Sequence, residues 1–410
     1  MKLSSVLRIV LLIIGFIITV IFLGYIIYSV FFRGEAKPGQ QLVNVNGVLI
    51  NASELPLANE NVNRPIANVN EEITALPISR VARGGDTLVN DIVDISVDGV
   101  TVAGSNLRYY DKTTGQFYQI SPDGKIKSLL SDEIFPEVDT IAWAPDASQV
   151  ILTFPDETNI LYDFNSKKQA TLPKEMKEIE FSPTGSEIGF EYVTDNPDNN
   201  FLGVSKPNGS EIKAVEALGD QSANVAVNWS PSNQVLATFR KGSSGENQEI
   251  FFVGLQGENF KSLEVEGRGF EANWNQSGDK LLYSTYDSAT NYNPELKFVD
   301  YGGDNTGRNV VNTGLNTWPS KCAIGTSSAY CGVPSYLEKG SGIYPEIANN
   351  IPDVFYRIDL RTGTKTKLAN PVNQDGTGIY NASQVYLSPD ESILYFTDTN
   401  TGKLQSVKLK

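Results

Sequence analysis

The residues able to do chemistry in this chain are few, and what is missing says most. There is no histidine among the 410 residues. That removes histidine general-base catalysis, Ser-His-Asp triads and ordinary histidine-ligated metal sites. Carboxylate pairs, Ser-Lys dyads and oxygen-ligated calcium survive. Two acidic clusters offer oxygen ligands: Asp195 and Asp198 in DNPDNN, with Asn199 and Asn200, and Asp287 and Glu295 in DSATNYNPE, with Asn291 and Asn293. Neither has the spacing of an EF-hand loop, so both read first as solvated loops and no cofactor is assigned. The two cysteines, Cys322 and Cys331, are even in number and close in sequence, as one bridge requires. Closing a loop of about ten residues is worth roughly 2.5–3 kcal/mol in the chain-entropy model.

The formal net charge of −15 repels nucleic acid and excludes that class of partner. Hydrophobic residues make up 40% of the chain, enough for a sizeable core.

The elements that must position these residues recur along the chain. IAWAPDASQVILTF (Ile141–Phe154) reads as strand, tight turn, strand. The figure returns in IEFSPTGSEIGFEY, VNWSPSNQVLATF, ANWNQSGDKLLYST and VYLSPDESILYFTD. With Trp143, Phe181, Trp229, Trp274 and Leu387 as reference positions, the residue two before is always apolar (Ile141, Ile179, Val227, Ala272, Val385). So is the residue seven after (Val150, Ile188, Leu236, Leu281, Leu394). Two weaker copies centre on Ile95, with Val93 and Val102, and on Ile324, with Cys322 and Cys331. The cysteines therefore fall on the two strands of one hairpin, where both can point to the same face.

Seven units spaced mostly in the forties, several strands each, predict an all-β, seven-bladed β-propeller of four-stranded antiparallel blades over residues 77–410. The last unit has only three strands. LPISRVA (Leu76–Ala82) is expected to donate the fourth and close the ring. The large aromatics at the reference positions are expected to wedge between blades.

The run Ile9–Phe32 carries no charge. Roughly 24 residues at about 1.5 Å each span about 36 Å, enough for one N-terminal transmembrane helix. A signal-anchor (residues 1–33, span 9–32) is expected, with the N-terminus cytoplasmic and the propeller extracytoplasmic. Residues 34–76, rich in Asn with Pro38, Pro56 and Pro65, read as a linker that admits a short strand around Leu42–Ile50.

The turns WAPD, FSPTG, WSPSN, NQSG and LSPDE resemble those of the TolB-like branch of WD-repeat propellers, whose blades carry an aromatic-Ser-Pro-Asp-Gly turn. The resemblance covers about residues 77–410 and implies a fold used for scaffolds, receptors and enzyme accessory domains alike. PSYLEKGSGIYPEIANNIPD (Pro334–Asp353) is an insertion in the sixth unit. It carries Tyr336, Tyr344 and Ile347 and is the expected contact loop. The function expected is that of a membrane-anchored, non-enzymatic binding or scaffold module for an envelope protein or surface polymer. The alternative is a carboxylate-based glycan hydrolase or lyase at the propeller mouth.

Overall fold

Four of the five reference residues meet their apolar partners across a hairpin. Trp143 lies opposite Val150, Phe181 opposite Ile188, Trp274 opposite Leu281 and Leu387 opposite Leu394. The turn between them needs one left-handed residue, four positions after the reference. It is Ala147 (φ 56°), Gly185 (70°), Asn233 (60°), Gly278 (71°) or Glu391 (53°). Glycine takes that conformation freely and other residues at a cost. At Glu391 the side chain has a compensating use. Its Oε1 accepts the Thr326 N–H and its Oε2 the Tyr330 hydroxyl, both at 2.8 Å, on the neighbouring blade.

The computed structural model describes residues 42–45, 48–51, 78–243 and 246–410. The chain divides into two units, Met1–Ile73 and Thr74–Lys410. In the first, Leu42–Val45 pairs antiparallel with Val48–Asn51, within the stretch read as a linker. The apolar run 9–32 lies outside the described residues, as does most of the segment 34–76. Among the described residues no helix is long and apolar enough to cross a membrane.

The second unit is a seven-bladed propeller. Blades 1 to 7 begin with the strands Val97–Ala103, Thr140–Trp143, Met176–Phe181, Val225–Val227, Arg268–Trp274, Cys322–Ile324 and Ala382–Leu387. Contacts between first strands of successive blades show that they line the axis. Each blade is an antiparallel meander, so its second-to-third loops share one rim with the links between blades.

The core lies in the seams. Trp274 of blade 5 sits 4.7 Å from Tyr301 and 6.0 Å from Phe252 of blade 4, ring centre to ring centre. Around them pack Val235, Ile250, Leu281 and Val299, each fully buried. An aromatic of this size buries about 150–250 Å², worth a few kcal/mol before entropy.

Closure uses a donated strand, but a different one from that expected. Asn90–Val93, not Leu76–Ala82, pairs with Leu404–Lys408 as the fourth strand of blade 7. The links from a fourth strand to the next first strand run from two residues (Val265 to Arg268) to ten (Leu129 to Thr140). Val93 to Val97 leaves three, inside that range, whereas Ala82 to Val97 would leave fourteen. Asp86–Leu88 instead adds a parallel fifth strand to blade 6, and Ser79 bridges to Thr87.

The first copy is also shifted from its expected place. Ile95 lies between strands, and Asp98-Gly99 sits within Val97–Ala103 rather than in a turn. The hairpin turns at Gly104-Ser105 instead, where Ala103 faces Asn106. The sixth copy has a turn two residues shorter. In blades 2, 5 and 7 the residue two before the reference pairs with the one nine after, as Ile141 does with Leu152. Here Cys322 faces Cys331 directly, and the two form a disulfide.

If Asn90–Val93 completes the ring, truncating its buried Ile92 (8% exposed) should weaken the whole propeller. Ile92→Ala is expected to cost about 2–4 kcal/mol in urea unfolding. Ile126→Ala, at a 74% exposed position, should stay within about 0.5 kcal/mol of the parent. Equal midpoints for the two variants would exclude this closure.

Candidate functional site

The blade 6 insertion joins the strand Ser328–Pro334 to Asp353–Asp359. Its backbone is pinned to the corresponding loop of blade 5. Gly340 N–H donates to the Asn291 carbonyl (2.9 Å) and Gly342 N–H to that of Tyr292 (2.7 Å). Beneath it Ala348 and Ile351 are buried against Trp318, with Leu337 at the edge. At its base the buried Lys321 reaches both carboxylate oxygens of buried Asp353 (2.9 and 2.8 Å). Asp353 also accepts the Ala382 N–H of blade 7 at 2.7 Å. On the outer side Tyr336 (60%), Tyr344 (57%) and Ile347 (38%) stand exposed, joined by Ile343 (43%).

The acidic clusters are not brought together as sites. Asp195 and Asp198 are exposed, and neighbouring Asn200 spends its side-chain oxygen on the Thr194 N–H (2.7 Å). Asp287 accepts the Thr290 N–H (2.8 Å) and Glu295 pairs with Lys297 (2.9 Å). Among the described residues no group of three or more Cys, Asp or Glu side chains is placed to hold a metal ion.

A third location escaped the sequence reading. A cavity of about 590 Å³ opens where the first strands of blades 2, 3 and 4 meet, lined among others by Ile141, Trp143, Glu178, Glu180 and Val227. Glu178 and Glu180 touch solvent there. Glu191, on the second strand of blade 3, is only 4% exposed, and its Oε1 has no hydrogen-bond partner. Close packing of the neighbouring strands, then the charge of Glu178, raises the Glu180 pKa against the pull of the Trp229 backbone N–H, while its side chain stays exposed. Burial, then the charge of Glu178, pushes Glu191 up to about 8, with Arg240 opposing.

Comparing the copies would have exposed two of these residues. One position before the reference stand Ala142, Asn228, Asn273 and Tyr386, where copy three has Glu180. Ten positions after stand Thr153, Phe239, Ser284 and Thr397, where copy three has Glu191.

No protein-family model matches the sequence, and no curated protein sequence does. Solved structures match the fold. The Swd1 β-propeller domain of Myceliophteria thermophila is 9% identical, over 78% of this chain and 100% of that one, with a TM-score of 0.50. An oligogalacturonate lyase solved with manganese is 12% identical, over 78% and 93% of the two chains, with a TM-score of 0.52. TolB from Acinetobacter baumannii is 13% identical over 64% of this chain, with a TM-score of 0.43, and the match spans 62% of TolB's length. The expected propeller likeness therefore holds at the level of the fold, which scaffolds and enzymes share.

The raised Glu191 sets a pH dependence. Its buried carboxyl keeps a proton that the unfolded chain releases above the ordinary value of 4.5. Stability from this source is full below that value and falls as pH rises towards about 8 for Glu191. Glu191→Gln should therefore raise the Tm above about pH 8, with the gain vanishing below about pH 5. A gain that is constant across this range would mean that Glu191 is not protonated in the fold.

Proposed function

We propose that this chain is a membrane-anchored, extracytoplasmic propeller that binds an envelope protein or surface polymer through the blade 6 insertion. The observation carrying this reading is the set of four exposed apolar side chains, Tyr336, Ile343, Tyr344 and Ile347, on a loop fixed to the neighbouring blade. A loop held in one conformation loses less freedom when it docks. Tyrosine supplies large contact area with few rotatable bonds. The uncharged run Ile9–Phe32 supports the tether, followed by residues 34–76 as spacer. The Cys322–Cys331 bridge fits an oxidising compartment.

The test is photo-crosslinking in native membranes from a probe at position 343 of the full chain. The triple variant Tyr336→Ser, Tyr344→Ser, Ile347→Ser should lose at least about tenfold of the crosslinked product while its Tm holds. Undiminished crosslinking would place the contact elsewhere.

The alternative, a carboxylate-based glycan hydrolase or lyase, has one specific support: a protonated and an ionised carboxylate can coexist around Glu178, Glu180 and Glu191. Such an enzyme would release reducing ends or unsaturated products from polysaccharides, and Glu191→Gln would cut the rate by about a hundredfold or more. A rate unchanged in both Glu180→Gln and Glu191→Gln would dismiss it.

A further inference from the structure

Eight ion pairs occur among the described residues, and in seven of them both side chains reach water. Lys321–Asp353 is the exception: its side chains are 9% and 1% exposed. The lysine Nζ lies 2.9 Å from Asp353 Oδ1 and 2.8 Å from Oδ2. Two contacts this short also set the nitrogen against Cγ. A buried ion pair gives up the hydration of two charges, and an apolar pair of similar volume often serves a fold as well. The repeat does not call for this one. Three positions before the reference residue the five clear copies carry Thr140, Glu178, Ala226, Glu271 and Gln384, where copy six has Lys321.

Asp353 is gripped from the side of blade 7 as well. Its Oδ2 accepts the Ala382 N–H at 2.7 Å, and its own N–H donates to the Tyr380 carbonyl at 2.8 Å. Gly332 leaves room for this approach: a Cβ there would lie 3.1 Å from Asp353 Oδ2 and 3.3 Å from Ala382 Cβ. Asp398, also buried, stands opposite Ala382 and accepts the Asn381 N–H at 3.1 Å. Burial pushes the Asp353 carboxyl above its ordinary range, against the pull of Lys321, and the charge of Asp398 adds to the rise. An ammonium and a carboxylate that have lost their water are poised to exchange a proton and become an amine and an acid. Those are the two reactants of an amide bond, already in contact.

We propose that the folded chain joins Lys321 Nζ to Asp353 Cγ by an amide bond of its own making. The ammonium passes one proton to Oδ1. The free amine attacks Cγ, whose retained oxygen, Oδ2, is polarised by the Ala382 N–H. The Cγ–Oδ1 bond breaks, and Oδ1 leaves as water with a second proton from the nitrogen. Ammonium and carboxylate give amide and water, so atoms and charge balance and no other reactant is needed. The bond removes both buried charges, and its carbonyl keeps the Ala382 hydrogen bond. It ties the start of the first strand of blade 6 to the start of the third, across the base of the insertion. The reaction is intramolecular and requires neither a particular compartment nor a docked partner.

Mass spectrometry of the full chain, purified folded and then reduced and denatured, tests this. The parent should weigh about 18 Da less than its sequence, one water. Trypsin should leave Lys321 uncut and yield the peptide Asn309–Lys339 fused to Gly340–Arg357. Lys321→Arg keeps the cation but not the amine, so it should show its full sequence mass and separate peptides. The parent measurement stands whether or not that variant folds, and an ion pair alone changes no mass. A parent at its full mass, cut at Lys321, would overturn the proposal. So would a water loss that survives Lys321→Arg.

Discussion

A propeller is a ring of sheets, and each sheet keeps its faces dry only because it has a neighbour on both sides. The pairing of Asn90–Val93 with Leu404–Lys408 meets that condition, because it ties the start of the ring to its end. Ile92, Val93 and Leu404 then pack with Val97, Leu107 and Tyr109, so the seam between blades 7 and 1 is built like the others. The chain adds two further fasteners: the parallel strand Asp86–Leu88 on blade 6, and the Ala82 N–H donating to the Lys408 carbonyl at 2.8 Å. Without them blade 7 would present an open strand edge and one bare face.

Closure also fixes what lines the axis. First strands of successive blades touch one another around the tunnel. Stability resides further out, in buried residues such as Phe252, Phe355 and Phe396. The tunnel wall can therefore hold charged groups whose cost is confined to one seam. Gly189 makes this possible in blade 3, because its missing side chain gives Trp229 a seat while glutamates stand on both sides.

The ring and its seams were legible because they rest on local, repeated signals. Reference residue, turn and apolar partner recur at fixed offsets, and pairings such as Trp143 with Val150 follow directly. Errors arose where the signal was not local. Leu76–Ala82 precedes the first unit, but Asn90–Val93, three residues before the strand Val97–Ala103, closes the ring. In blade 1 the positive φ of Gly99 serves a bulge, and the hairpin turn lies at Gly104-Ser105. A dipeptide alone does not distinguish these uses, since both need the same backbone conformation.

The two candidate sites differ in legibility for a related reason. An insertion is excess length, visible against the period of the repeat, and its exposed tyrosines follow from having no blade position to fill. The glutamate seam is a departure in residue type at positions the repeat already occupies. It draws on both strands of one hairpin and on a tryptophan from the next blade, and a bulge sets its geometry. Burial turns that departure into chemistry at Glu191, which on an outer strand would stay ionised and solvated. Behind the tunnel wall its carboxyl is raised to about 8, and one of its oxygens has no partner.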